Sequence, residues 1–118
     1  LGNGEEAVKN YQEALRIDPK YFEAQLYLAR EKYKPAETIK KQMADLGISD
    51  ADRKKKIALD KELVGKLKEA LPYWEQAERI KPDDSDVLDV LYNIYSDLGM
   101  QAQATRIEKR YKELGLDN

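Results

Sequence analysis

Ala7, Tyr11, Ala14 and Pro19 are matched by Ala70, Trp74, Ala77 and Pro82, four pairs that share one offset of 63 residues. The surrounding strings, EEAVKNYQEALRIDP and KEALPYWEQAERIKP, agree in charge and apolar pattern as well. An aromatic residue four positions after an alanine, and a second alanine three further on, lie on one face of a helix; on a strand they would fall on both faces. The two alanines let another helix approach closely and the ring fills the space between them. Proline, five residues past the second alanine, ends the helix because it disfavours helical geometry in the residue before it. A chain that carries this pattern twice builds two similar helix surfaces, and each must be covered by neighbours.

Helix stops elsewhere are equally legible. Asp45-Leu46-Gly47-Ile48, Asp97-Leu98-Gly99-Met100 and Glu113-Leu114-Gly115-Leu116 each set glycine and then an apolar residue after a helical run. Glycine accepts the left-handed conformation that closes many helices, and the following apolar side chain folds back on the last turn. Ile17-Asp18-Pro19 and Ile80-Lys81-Pro82 supply two more stops. Strict alternation of apolar and polar residues is not sustained anywhere, which excludes half-buried strands. The expectation is an all-α chain of five helices near 5–17, 21–46, 50–80, 84–98 and 101–114, with Ser49 and Asp50, then Asp83, Asp84 and Ser85, capping the third and fourth.

The spaced Ala, aromatic, Ala, Pro signature resembles the second helix of the tetratricopeptide repeat, a helix-turn-helix unit of 34 residues. Leu91, Gly99 and Ala104 continue a 34-residue register from the Ala70 to Pro82 block, whereas Glu108 and Tyr111 occupy the next aromatic and alanine places and Tyr92 stands where a small residue is usual. The resemblance implies a right-handed helical solenoid of antiparallel helix pairs in one domain spanning 1–118. Residues 1–19 supply the second helix of a truncated repeat, 20–82 a lengthened repeat and 83–118 a C-terminal capping repeat. The chain opens at Leu1, not at methionine, so upstream sequence is expected. The ERIKPDD and IYSDLGM segments and the long hairpin also resemble repeat proteins of Gram-negative cell envelopes, which implies the periplasm. A cysteine-free chain suits oxidising and reducing compartments alike.

An offset of 63 exceeds the regular 34 by 29 residues, which must lie between Leu28-Ala29 and Ala70. Phe22, Leu26, Ala29, Tyr33, Ala36, Ile39, Met43 and Leu46 form one apolar stripe, and Leu59, Leu63, Leu67, Ala70, Trp74 and Ala77 form its return. Both fit a single extended αα-hairpin folded about Gly47 and Ile48, with Phe22 near Trp74, Leu26 near Leu71 and Tyr33 near Val64. At 1.5 Å per residue the hairpin projects on the order of 20 Å past a normal repeat. Pro35 interrupts the first arm and is expected to kink it near residues 30–34.

The 118 residues contain neither cysteine nor histidine, which removes disulfides, thiolate metal sites, thiol nucleophiles and imidazole acid-base chemistry. Charged residues make up 37% and mean hydropathy is -0.81, so no segment can be inserted across a membrane. Lys and Arg number 21 against 23 Asp and Glu, a net charge of -2 that gives no field for nucleic acid. Between Lys34 and Lys61, eight basic residues face five acidic ones, and Arg53, Lys54, Lys55 and Lys56 form the densest basic run. That tip is the one candidate polyanion contact, although consecutive residues point all round a helix and a solvated face explains them.

Asp83, Asp84, Asp86 and Asp89 lack the alternating spacing, glycine and distant glutamate of a calcium loop, and capping accounts for them. Leu1-Gly2-Asn3-Gly4 lacks the Lys-Ser or Lys-Thr and the preceding strand of a phosphate loop and is taken as an interhelix turn. The serines, Ser49, Ser85 and Ser96, have no histidine to activate them; Ser49 and Ser85 are assigned as caps. No catalytic residue, metal ligand or cofactor site is assigned, and the chain is taken as non-enzymatic.

Within the repeat family the first helix of each pair lines a concave surface. By that resemblance Glu23, Tyr27, Arg30, Asp86, Asp89 and Asn93 form the partner-binding face, with Tyr27 and Arg30 as an anchor pair. Family members that grip acidic chaperone tails need cations and amides where Glu23, Tyr27, Asp86 and Val90 stand, so that specificity is excluded. The function implied is a protein-protein interaction scaffold that holds a protein or peptide partner. The alternative is a homo-oligomer built through the unpartnered first helix.

Overall fold

The computed structural model describes residues 2–116, and all of its regular structure is helical. Helices α1 (Gly2–Ile17), α2 (Phe22–Ala44), α3 (Asp50–Ile80), α4 (Ser85–Asp97) and α5 (Gln101–Leu114) follow one another, and each packs chiefly on its neighbours in the chain. This is a tetratricopeptide-like stack of antiparallel helices. Residues 2–4 are the first turn of α1 and not an interhelix turn; Leu1 lies outside the described residues.

The stops act through hydrogen bonds. Asp18 N–H donates to the Ala14 carbonyl at 2.8 Å and Lys81 N–H to the Ala77 carbonyl at 3.0 Å, each one residue before its proline. Gly99 and Gly115 adopt φ of 71° and 72°, and the residues after them close the helix end: Met100 N–H reaches the Tyr95 carbonyl at 2.8 Å, and Leu116 N–H that of Tyr111 at 2.9 Å. Gly47 departs from this pattern. It has no left-handed backbone, and Ile48 is 85% exposed instead of folding back. The reason is the next helix: the Asp52 carboxylate accepts from Gly47 N–H at 2.7 Å and fixes the turn from α3's side.

Ser49 caps α3, its hydroxyl accepting from Asp52 N–H at 3.1 Å. At α4 the cap is Asp84, which accepts from Val87 N–H at 3.0 Å, and Ser85 is the first helical residue. A carboxylate at that place also meets the positive end of the helix dipole, which a hydroxyl does not.

The core is one cluster in which Trp74, Tyr95, Leu67, Leu88, Leu91, Ile94 and Ile107 are the largest fully buried side chains. Ala29, Ala36, Ala70, Ala77 and Ala104 are equally buried, and these small residues allow the helices to approach. Gln25 crosses the hairpin, its Nε2 donating to the Tyr73 carbonyl at 2.9 Å. The aromatic partners differ from a simple fold about Gly47. Tyr33 meets Trp74 edge to face at 6.0 Å, where Val64 was expected, and Phe22 lies under Lys81 at 5.2 Å. Side chains on a helix lean toward its N-terminus, so across an antiparallel pair long ones on α2 lean away from the turn and those on α3 lean toward it. Their tips therefore meet partners further along α3 than the backbones do.

Helix α2 runs unbroken through Pro35, and α3 runs through Pro72, whose place inside a helix the sequence pattern also implies. Both prolines are exposed, while Tyr33, Ala36 and Ile39 beside Pro35 are buried against α3. Packing on that side holds the arm together. Lys40 Nζ bonds Asp97 at the end of α4, 2.6 Å away, so the body supports the hairpin that far. Met43, Ala44 and Asp60 still share a hollow with Asp97, and the hairpin continues beyond them to its turn at Gly47.

Candidate functional site

Helix α4 buries Val87, Leu88, Leu91, Ile94 and Tyr95, which leaves Asp86, Asp89 and Asn93 in one exposed row. Helix α2 buries Ala24, Gln25, Leu28 and Ala29 and carries Glu23, Tyr27 and Arg30 in a row that continues as Lys34 and Glu37. Where the two rows come together a cleft of about 470 Å³ opens. Arg30, Lys34 and Glu37 form one wall, Asp86, Asp89 and Val90 the other, and Trp74 and Tyr33 complete the lining.

The six residues of the expected partner-binding face therefore occupy different settings. Arg30, Asp86 and Asp89 share the cleft. Asn93 lines an adjoining hollow of about 430 Å³ with Asp89, Tyr92, Tyr111 and Leu116. Tyr27 is not a free anchor beside Arg30: its ring stacks on Tyr11 of α1, with centroids 4.4 Å apart and planes 30° apart. Glu23 lies outside the cleft near the start of α2, accepting a long 3.5 Å bond from the Tyr21 hydroxyl. Sequence reasoning missed Lys34 and Glu37, although a heptad step from Tyr27 and Arg30 reaches them.

Charge is arranged unevenly around the cleft. Arg30 Nη2 stands 3.9 Å from Asp86 Oδ2, a long contact between exposed groups. Lys34 is drawn to Glu31 on its own helix at 2.6 Å, and that bond holds its ammonium above its ordinary pKa. Asp89 accepts a hydrogen bond from the Tyr111 hydroxyl. Partial burial and the neighbouring Asp86 charge raise the Asp89 carboxyl above the usual aspartate value. Burial raises the Tyr33 hydroxyl, opposed by Lys40. For Lys40 burial acts downward, but the bonds to Asp97 and Tyr33 outweigh it and leave the ammonium raised. The Trp74 indole is 1% exposed and its Nε1 has no hydrogen-bond partner among the described residues.

The basic tip is separate from this cleft. Arg53, Lys54, Lys55 and Lys56 are all exposed, Arg53 has only a 3.9 Å contact with Asp50, and Ile57 beside them is 70% exposed. Among the described residues no three carboxylates gather closely enough to hold a metal ion. No described helix is long and apolar enough to cross a membrane. The cleft thus sets carboxylates, an ammonium and a guanidinium beside an aromatic wall.

Residues 1–34 match the family model described as TPR repeat. No curated protein and no solved structure matches the chain.

Proposed function

This chain carries a tetratricopeptide repeat within a fold of the same kind, and from that premise we propose that it is a non-catalytic scaffold that holds another polypeptide. The observation that supports this most is the α2–α4 cleft, an open trough lined by both signs of charge on helices whose other faces are locked in the core. Arg30, Asp86 and Asp89 are its recognition residues, joined by Lys34 and Glu37, with Asn93 in the adjoining hollow; Glu23 and Tyr27 lie outside it. Repeats of stacked helices present such surfaces because each helix buries one face and leaves the other for a partner. Photo-crosslinking from position 93 in the full chain, followed by mass spectrometry of the adduct, tests it. A polypeptide adduct that the R30A/D86A pair reduces about tenfold is expected. Equal labelling from the exposed outer position Lys109 on α5 would overturn the assignment.

A second reading has its own support. No side chain described on α1 is fully buried, Val8 and Tyr11 are half-buried, and Ile17 is 71% exposed, so a second copy can cover this helix. Light scattering decides: a dimer dissolved by V8D supports it, and a monomer at high concentration removes it.

A further inference from the structure

Helix α3 carries a second ordered stripe besides the one it buries. Leu59, Leu63, Leu67 and Ala70 turn into the core, while Lys54, Ile57, Lys61, Val64 and Lys68, alternately three and four residues apart, share another face. The three lysines are exposed, Ile57 is 70% exposed and Val64 is half-buried. Both residue types recur every seven positions, lysine at 54, 61 and 68 and an aliphatic side chain at 57, 64 and 71. A straight helix drifts about 20° per heptad, and the aliphatic line accordingly turns inward until Leu71 packs on the core. What remains outside is a seam of the kind one helix offers another, aliphatic along its middle and cationic along one edge.

The charge of this seam is not taken up within the chain. Among the described residues the ion pairs of α3 are Arg53 with Asp50, Lys66 with Glu69 and Glu78 with Arg106, and none engages Lys54, Lys61 or Lys68. Gly65 supplies an independent observation. It lies inside a helix of 31 residues, where glycine is less favourable than alanine, one turn from both Lys61 and Lys68. Its φ is not positive, and a Cβ added to it would meet nothing within 4 Å. No contact or turn within the chain requires a glycine here, whereas a backbone approaching closely from outside accounts for it.

We infer that the outer face of α3 between Lys54 and Lys68 receives an acidic amphipathic helix of another protein. That helix lays its apolar residues on Ile57 and Val64, passes close over Gly65, and sets carboxylates against Lys54, Lys61 and Lys68. A second copy of this chain is disfavoured by the same charges, since pairing like faces would crowd two lysine rows into one seam. The face shares no residue with the α2–α4 cleft, and a failure here leaves the crosslinking result at position 93 untouched.

Two fluorescent peptides of about three heptads test it, alike in carrying leucine at a and d and differing in having glutamate or lysine at e and g. Their like charges keep each from pairing with itself, and anisotropy measures binding to the full chain. The glutamate peptide is expected to bind at least about tenfold more tightly than the lysine peptide, and to weaken as salt is raised. K54E/K61E/K68E, changed only at exposed positions, should reverse that order. G65Q is the most informative variant. Replacing glycine in an open helix raises the melting temperature, yet the added side chain should weaken the glutamate peptide about tenfold by blocking its approach. Equal affinity for the two peptides, a triple variant that keeps the original order, or a G65Q protein that binds as before overturns the inference. Binding to phosphatidylserine vesicles with none to the glutamate peptide overturns it too, and would give the face to a membrane surface instead.

Discussion

Helix α1 and the C-terminal half of α3 carry the same surface and meet different fates. Ala70, Trp74 and Ala77 are buried, whereas their counterparts Ala7, Tyr11 and Ala14 are half-buried. Helix α3 has α2 on one side and α4 on another; α1 packs chiefly on α2. The motif prescribes a shape, and the number of helices gathered round it decides how much water it excludes. Tyr11, without a surrounding core, stacks on Tyr27; Trp74, surrounded, forms the centre of one.

Truncating the rings separates the two copies most sharply. W74A is expected to cost about 3–5 kcal/mol, the usual range for emptying a buried aromatic site, and Y11A about 1 kcal/mol, the worth of one aromatic pair. Urea unfolding measures both, and equal losses would show α1 to be as integral to the core as α3. The alanines give the next contrast. A77L overpacks a closed interface, at about 1–3 kcal/mol, while A14L stays within about 0.5 kcal/mol because the longer side chain can turn to water.

A pH dependence tied to α3 follows. Burial, and then the 2.7 Å bond its hydroxyl donates to Glu75, push the Tyr95 pKa up to about 12 from an ordinary 10.0. Folding favours the protonated phenol. The stability this contributes, on the order of 2–3 kcal/mol, is therefore complete below pH 10 and is lost as pH climbs toward 12. Y95F should flatten that alkaline slope in denaturation midpoints and leave the acid side unchanged. The smallest contrast concerns ion pairs. Arg106 forks onto Glu78 at 2.7 and 2.9 Å and ties α5 to α3, so R106Q is expected to cost about 0.5–1 kcal/mol after allowance for its exposure. Arg16 and Glu13, fully in solvent on α1, form a pair just as short, and R16Q should leave the melting temperature where it is.

Helix number and order, and four of the five stops, were legible because proline and left-handed glycine act locally and leave their mark in the string. Gly47 was not, because its turn is fixed by a carboxylate five residues away in the next helix, a tertiary choice that no glycine rule carries. The hairpin was legible as a pair of stripes, while its aromatic partners were displaced by the lean of the side chains. Of the cleft, Arg30, Asp86 and Asp89 followed from the repeat pattern, and Lys34 and Glu37 lay one heptad step further. Tyr27 could not be placed from sequence, since its stacking depends on how closely α1 approaches α2. The unpaired indole nitrogen of Trp74 was equally hidden: burial can be inferred from a motif, but a missing acceptor is visible only once the neighbours are in position.

Helix α2 serves two masters. Its first half carries the basic wall of the cleft, its second half the hairpin's outer end, and Pro35, lacking the amide that would bond to Glu31, sits at the joint between them. The Lys40 to Asp97 bond lies just past that joint like a fulcrum. A push on the far end is thus borne by the same rod that frames the trough, at the one point where that rod is missing a rung.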